Sequence, residues 1–220
     1  MRIFNADGSE AEMCGNGARC IARFVVRRPC LSGRQASSVV RKKTLKIETK
    51  AGIIEAEVKA DDVRIKLTDP VGMKIGIPLK VSGRSLRVNF INTGVPHTVI
   101  FVEGLEKIDV PGLGRQVRFH KFFSPKGANV NFVEVPDNHS INVRTYERGV
   151  EDETLACGTG SVASALITAV SCQLSAVSRI SVRTKSGEIL KVYFDREGND
   201  FKNVWLEGKV KIVYTGEYHV

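Results

Sequence analysis

Two stretches of this 220-residue chain place a cysteine directly before Gly-x-Gly. The first is Glu10-Ala11-Glu12-Met13-Cys14-Gly15-Asn16-Gly17. The second, 143 positions later, is Glu153-Thr154-Leu155-Ala156-Cys157-Gly158-Thr159-Gly160. Glu, Cys and both Gly hold the same places. A stretch with helical character follows each, Ala18 to Arg28 and Ser161 to Cys172, and Ala22 and Ala165 coincide. The first N–H groups of a helix lack intrahelical partners and carry partial positive charge. Glycine lets a carboxylate or phosphate approach them closely. The same terminus draws a thiol's pKa from about 8.5 toward neutrality. Each half therefore offers one activated thiol and one anion nest. Brought to bear on one ligand, two such sites can invert a stereocentre without a cofactor. One thiolate removes the proton beside a bound carboxylate, the other thiol donates from the opposite face, and the helix ends stabilise the charge that develops. A lone cysteine is more often a small buried apolar residue; the repetition, with Glu at a matching offset, is what favours chemistry at Cys14 and Cys157.

The elements that must position these residues repeat too. Thr49-Lys50-Ala51-Gly52 lies between strand patterns Leu45–Thr49 and Ile53–Val58, and Thr184-Lys185-Ser186-Gly187 between Ile180–Thr184 and Glu188–Phe194. Glycine supplies each turn. One more alternating strand follows each hairpin, Val63–Leu67 and Val204–Leu206 onward. Between the halves, Val81–Phe90, His97–Glu103, Asn129–Val135 and Ser140–Tyr146 are short, β-branched and bounded by Gly, Pro or Asn, so they read as strands. The pattern predicts an α+β fold of two pseudo-symmetric domains, each a curved, mostly antiparallel sheet around a central helix. The join is expected in the Pro- and Gly-rich stretch Asp69–Lys80. This makes residues 1–77, with 210–220 returning, the N-terminal half and 78–209 the C-terminal half.

Composition excludes several classes. Hydrophobic residues are 42% and charged residues 26%, ordinary for a globular protein and wrong for a disordered or fibrous one. No apolar run approaches membrane-spanning length, and the first residues lack a secretory h-region. The net charge is +9, and residues 1–50 carry 11 basic against 4 acidic side chains. No aromatic-rich or helix-turn-helix motif accompanies that excess, so nucleic acid is not an expected partner. Five cysteines, an odd number without Cys-x-x-Cys, point to a reducing cytoplasm and to no metal site. Cys20, Cys30 and Cys172 lack the Gly-x-Gly context and read as structural. The segment Pro29–Ser38 reads as a loop with no chemistry.

The two cysteine segments resemble the catalytic motifs of the diaminopimelate epimerase family: Asn5-Ala6-Asp7-Gly8-Ser9-Glu10 through Cys20, and Tyr146-Glu147-Arg148-Gly149 with Glu153–Gly160. Asn92-Thr93-Gly94-Val95-Pro96-His97 resembles its central strand-turn motif, and Asn129-Val130-Asn131-Phe132 a further substrate-side motif. The resemblance runs over essentially the whole chain. It implies interconversion of LL- and meso-diaminopimelate without pyridoxal phosphate or other cofactor, in lysine and peptidoglycan precursor biosynthesis, and a cytoplasmic location (plastid in a plant). It implies that Cys14 and Cys157 transfer protons and that Gly15, Asn16, Gly158 and Thr159 bind the α-carboxylate. Asn5, Asn129, Glu147 and Arg148 would contact the substrate; the planar fork of Arg148 suits a carboxylate. Glu147 and His97 can tune protonation. Two departures stand out. The family's several dozen residues before the position of Met1, with a Gly-Asn-Asp-Phe-like motif, are not in this chain, so the first domain is expected to be truncated. Many members carry Asn where this chain has Val95.

Two other readings remain open: a proline-racemase-like enzyme of the same architecture, and an inactive fragment or basic binding module. Small-molecule substrate is the expected partner, without nucleic acid or membrane, and pairing of sheet edges leaves a homodimer open.

Overall fold

The computed structural model describes residues 1–4, 8, 10–11, 13–27, 42–174, 177–214 and 216. They group into two units, Met1–Ile65 with Glu207–Val220, and Lys66–Leu206. The Pro29–Ser38 stretch and Cys30 lie outside the described residues. No described helix is long and apolar enough to cross a membrane.

The first unit opens with a short antiparallel pair, β1 (Ile3–Phe4) and β2 (Glu10–Ala11), in which Phe4 faces Glu10. Helix α1 (Gly15–Arg27) follows, then the antiparallel strands β3 (Lys43–Thr49), β4 (Gly52–Lys59) and β5 (Asp62–Lys66). The expected alternation is present: β4 buries Ile54, Ala56 and Val58, while Glu55 and Glu57 between them point away from that core. Helix α1 packs on β3 and β4 through a narrow stripe, Gly15, Ala18, Arg19 and Ala22, and leaves Phe24 and Val25 exposed. The C-terminal segment reaches this unit as Val210 N–H donates to the Asp61 carbonyl at 2.8 Å.

The second unit contains β6 (Val71–Val81), β7 (Arg84–Asn92), β8 (Pro96–Phe101), helix α2 (Val110–Arg118), β9 (Asn129–Asp137), β10 (Ser140–Glu147), β11 (Asp152–Thr154), helix α3 (Gly158–Ser171), β12 (Arg179–Arg183), β13 (Ile189–Glu197) and β14 (Asp200–Lys209), whose last residues belong to the first unit. In hydrogen-bonded order the strands run β14, β13, β12, β10, β9, β8, β7, β6, with β11 paired to β10. The β8–β9 and β10–β12 pairs are parallel; β6–β7, β7–β8, β9–β10, β10–β11 and β12–β13 are antiparallel. The join expected at 77/78 falls at 65/66, because Val71–Val81 is ladder-paired with the next strand rather than being a linker.

Helix α3 explains how this unit holds its thiol. Its sequence has no charged residue, and every position from Gly160 to Ala169 is buried. A helix apolar on all sides belongs in a core. Burial of Leu166 and Ile167 contributes about 1.5–3 kcal/mol each, which fixes the helix against β7, β8, β9, β10, β12 and β13. Helix α2 was not foreseen. It is capped by Asp109, whose side chain accepts from Gly112 N–H at 3.0 Å. It lies so close to β10 that a Cβ on Gly114 would sit 2.5 Å from Tyr146 Cβ.

Candidate active site

In the first unit, Cys14 immediately precedes α1. Its carbonyl accepts the first helical bond from Ala18 N–H at 2.9 Å, and its Sγ accepts from Gly17 N–H at 3.5 Å. The thiol is half-buried, beside otherwise unpaired helix-end donors. Asn16 in the first turn accepts from Arg19 Nη2 at 2.9 Å, so its amide is held by a buried guanidinium.

In the second unit, Cys157 is the N-cap of α3, in extended conformation. Its carbonyl accepts from Ser161 N–H at 2.9 Å and from Ser161 Oγ at 2.8 Å. Its Sγ lies 3.7 Å from Thr159 Oγ1, and the residue is buried. Each cysteine thus holds the same position against its helix, and each helix begins at the following glycine, Gly15 or Gly158. Carboxylate affinity follows from such a terminus.

Around Cys157 lies a buried polar network. Asn131 Nδ2 donates to the Thr98 carbonyl at 3.0 Å and to His97 Nδ1 at 3.1 Å, while its Oδ1 accepts from Thr145 Oγ1 at 3.0 Å. With Nδ1 accepting, the neutral imidazole carries its proton on Nε2; that atom is buried and has no partner among the described residues. Burial, reinforced by the charge of Arg148, lowers the His97 pKa to about 3. The ring is therefore neutral at physiological pH. A Cβ on Gly160 would lie 2.4 Å from Asn131 Oδ1 and 3.2 Å from Cys157 Sγ, so only glycine lets the helix start come this close to β9. The turn before β8 grips the same helix start: Thr93 Oγ1 donates to the Thr159 carbonyl at 3.1 Å.

Glu147 ends β10 with its carboxyl toward Thr154 and Cys157. Burial raises its pKa and outweighs the opposing influence of those two residues. Asn129 Oδ1 accepts from Arg148 N–H at 2.7 Å, and its Nδ2 donates to the Pro96 carbonyl at 3.3 Å. The half-buried Arg148 side chain has no ion pair among the described residues. The second unit therefore brings together His97, Asn129, Glu147, Arg148, Cys157, Gly158 and Thr159. The first unit brings together Cys14, Gly15 and Asn16. Asn5 lies outside the described residues. Cys20 and Cys172 are exposed. Sequence reasoning placed Thr93, Asn131 and Gly160 in motifs without giving them individual roles, and missed Thr145; polar residues inside the apolar strand Asn129-Val130-Asn131-Phe132 were the available clue.

The fold is shared with structures of known proteins. A probable proline racemase from Agrobacterium radiobacter superposes with a TM-score of 0.71 at 14% identity, covering 94% of this chain and 68% of that one. A PhzF-family phenazine biosynthesis protein from Bacillus anthracis gives 0.68 at 18%, covering 94% and 76%. Sequence narrows the class. The family model described as Diaminopimelate epimerase matches residues 1–73 and 89–213. Diaminopimelate epimerase of Aquifex aeolicus is 45% identical over 216 residues, 97% of this chain and 72% of the relative. That of Methanocella arvoryzae is 38% identical over 231 residues, covering 100% and 76%. The chain belongs to the diaminopimelate epimerase family, a family of isomerases.

Proposed function

We propose that this chain interconverts LL- and meso-diaminopimelate by proton transfer between two thiols, a step of lysine and peptidoglycan precursor biosynthesis. The observation that carries the reading is the repeated Cys-Gly helix start. Cys14 and Cys157 each close the first turn of their helix through the backbone carbonyl, which sets the thiol at the helix start, where N–H groups lack intrahelical partners. The α-carboxylate is held by the N–H groups at Gly15, Asn16, Gly158 and Thr159. One cysteine, as thiolate, takes the α-proton; the C–H pair becomes the enolate-like pair of the bound carboxylate. The other cysteine, as thiol, delivers its proton to the opposite face. The enzyme then holds the proton on the first sulfur and the charge on the second, and exchange with solvent resets it. Helix termini stabilise the developing negative charge without reorganising. Asn129 and Arg148 contact the substrate, and Glu147 with neutral His97 supports protonation at Cys157.

Turnover of LL-diaminopimelate to the meso form, followed by chiral chromatography, tests the proposal. Cys14→Ala and Cys157→Ala are each expected to lower turnover by at least about 10³-fold, since each removes a proton-transfer group. Turnover surviving either replacement would overturn it.

A further inference from the structure

The glutamate four residues before each cysteine and the Thr-Lys-x-Gly turn are the two parts of the repeat that the mechanism does not use. The structure joins them, separately in each unit. In the first, Glu10 accepts from Arg2 Nε at 2.9 Å and pairs with Lys50 Nζ at 3.6 Å. In the second, Glu153 accepts from Arg144 Nε at 2.6 Å and Nη2 at 2.9 Å and pairs with Lys185 Nζ. The correspondence extends to register. Phe4 faces Glu10 across β1–β2, and Arg2 stands two residues before Phe4; Tyr146 faces Glu153 across β10–β11, and Arg144 stands two residues before Tyr146. Lys50 and Lys185 occupy the same place in turns closed by glycines of positive φ, Gly52 (107°) and Gly187 (81°).

We infer that each Arg–Glu–Lys triad is a positioning device for the thiol that follows it, tying the hairpin tip and the neighbouring strand to the segment that enters the cysteine-bearing helix. The second unit adds a backbone tie of the same sense: Ser186 N–H donates to the Leu155 carbonyl at 3.0 Å, two residues before Cys157. Arg144 is itself fixed, donating from Nη1 to the Leu105 and Ile108 carbonyls at 2.9 and 3.2 Å. The two devices differ in strength. The Glu153 side chain is 6% exposed and that of Arg144 13%, against 23% and 71% for Glu10 and Arg2. Burial pushes the Glu153 carboxyl up, yet the hydrogen bonds from Arg144 and Lys185 prevail and hold it below the usual range. The catalytic consequence rests on the two-thiol reading; the positional one does not.

The test is site-resolved alkylation of the intact protein with iodoacetamide, quantified by mass spectrometry of the peptides carrying Cys14 and Cys157. It compares wild type, Lys50→Met, Lys185→Met, Lys50→Arg and Lys185→Arg. Methionine keeps the apolar stem and removes the charge; arginine keeps the charge. Loss of one half-exposed ion pair changes a local equilibrium about 1.5- to 5-fold. Lys185→Met is expected to speed alkylation of Cys157 by that factor and leave Cys14 unchanged. Lys50→Met is expected to do the reverse, and both arginine variants to match wild type. Thiols that respond together, or not at all, would overturn the inference. Turnover is measured on the same samples: an inactive wild type would sink the epimerase reading, and the alkylation pattern would still decide the positional one. In an active enzyme, the methionine variants are expected to lose kcat with KM unchanged.

Discussion

Gly160→Ala tests most sharply how the fold sets the position of a thiol. The added methyl carbon would lie 2.4 Å from Asn131 Oδ1, whereas ordinary contact begins near 3.4 Å, so something must move by about 1 Å. Asn131 cannot yield easily, since its amide is committed to His97, Thr98 and Thr145. The helix start therefore moves, and with it Cys157. Overpacking costs about 1–3 kcal/mol, and replacing glycine within a helix returns up to about 1 kcal/mol. The net stability loss expected in urea unfolding is about 0–3 kcal/mol by that balance. Activity should suffer more, because a misplacement of about 1 Å at a reacting group costs about 10²-fold. The assay pairs kcat with the urea midpoint. A variant that keeps turnover within about threefold of wild type would refute the claim that the Gly160–Asn131 approach positions the thiol. The first unit provides a contrast. A Cβ on Gly17 meets Cys14 Sγ at 3.8 Å, an ordinary contact, so Gly17→Ala should leave the urea midpoint unchanged or raise it.

Other outcomes follow from the buried groups. His97 is neutral in the folded chain, with a pKa of about 3, and takes a proton below about 6.5 once unfolded. The unfolded state then binds more protons, so the stability His97 allows above pH 6.5 is lost as the pH falls toward 3. Linkage gives a loss of about 2 kcal/mol between pH 7 and 5, which urea unfolding should show in wild type and not in His97→Gln. Glu147 has the opposite sign: its folded pKa lies above 4.5, so its contribution falls as pH rises through that window. Glu147→Gln should thus be more stable than wild type at neutral pH while losing turnover; a less stable variant would count against the burial argument. Gly114→Ala should destabilise by about 1–3 kcal/mol through overpacking, since its Cβ would sit 2.5 Å from Tyr146 Cβ.

Helices α1 and α3, the hairpins and both thiol positions were legible because each rests on a local rule: glycine at a helix start, alternation along a strand, glycine at a turn. Strand β6 was not. Gly72, Gly76 and Pro78 read as a linker, yet they lie in the last strand of the hydrogen-bonded order. Proline is tolerated at such an edge, where an N–H is not needed. The ladder shifts register twice between Val71 and Ile77, near glycines of positive φ, and Asn89 Oδ1 repairs it by accepting from Gly76 N–H at 3.0 Å. Helix α2 was hidden for a related reason: Pro111, Gly112 and Gly114 argue against a helix, while the Asp109 cap and the close approach to Tyr146 require it. The Asn131 network could not be read either, because hydrogen-bond partners far apart in sequence meet only once β8, β9 and β10 have paired.

The most direct test of the two-thiol claim is early-time NMR of LL-diaminopimelate turning over in D₂O. The account predicts that meso product carries deuterium at the inverted carbon while the remaining substrate keeps its proton, because removal and delivery use different sulfurs. It predicts that no deuterated meso product forms with Cys14→Ala or with Cys157→Ala. Product that retains the substrate's own proton would mean that one group performs both transfers, and would contradict the account.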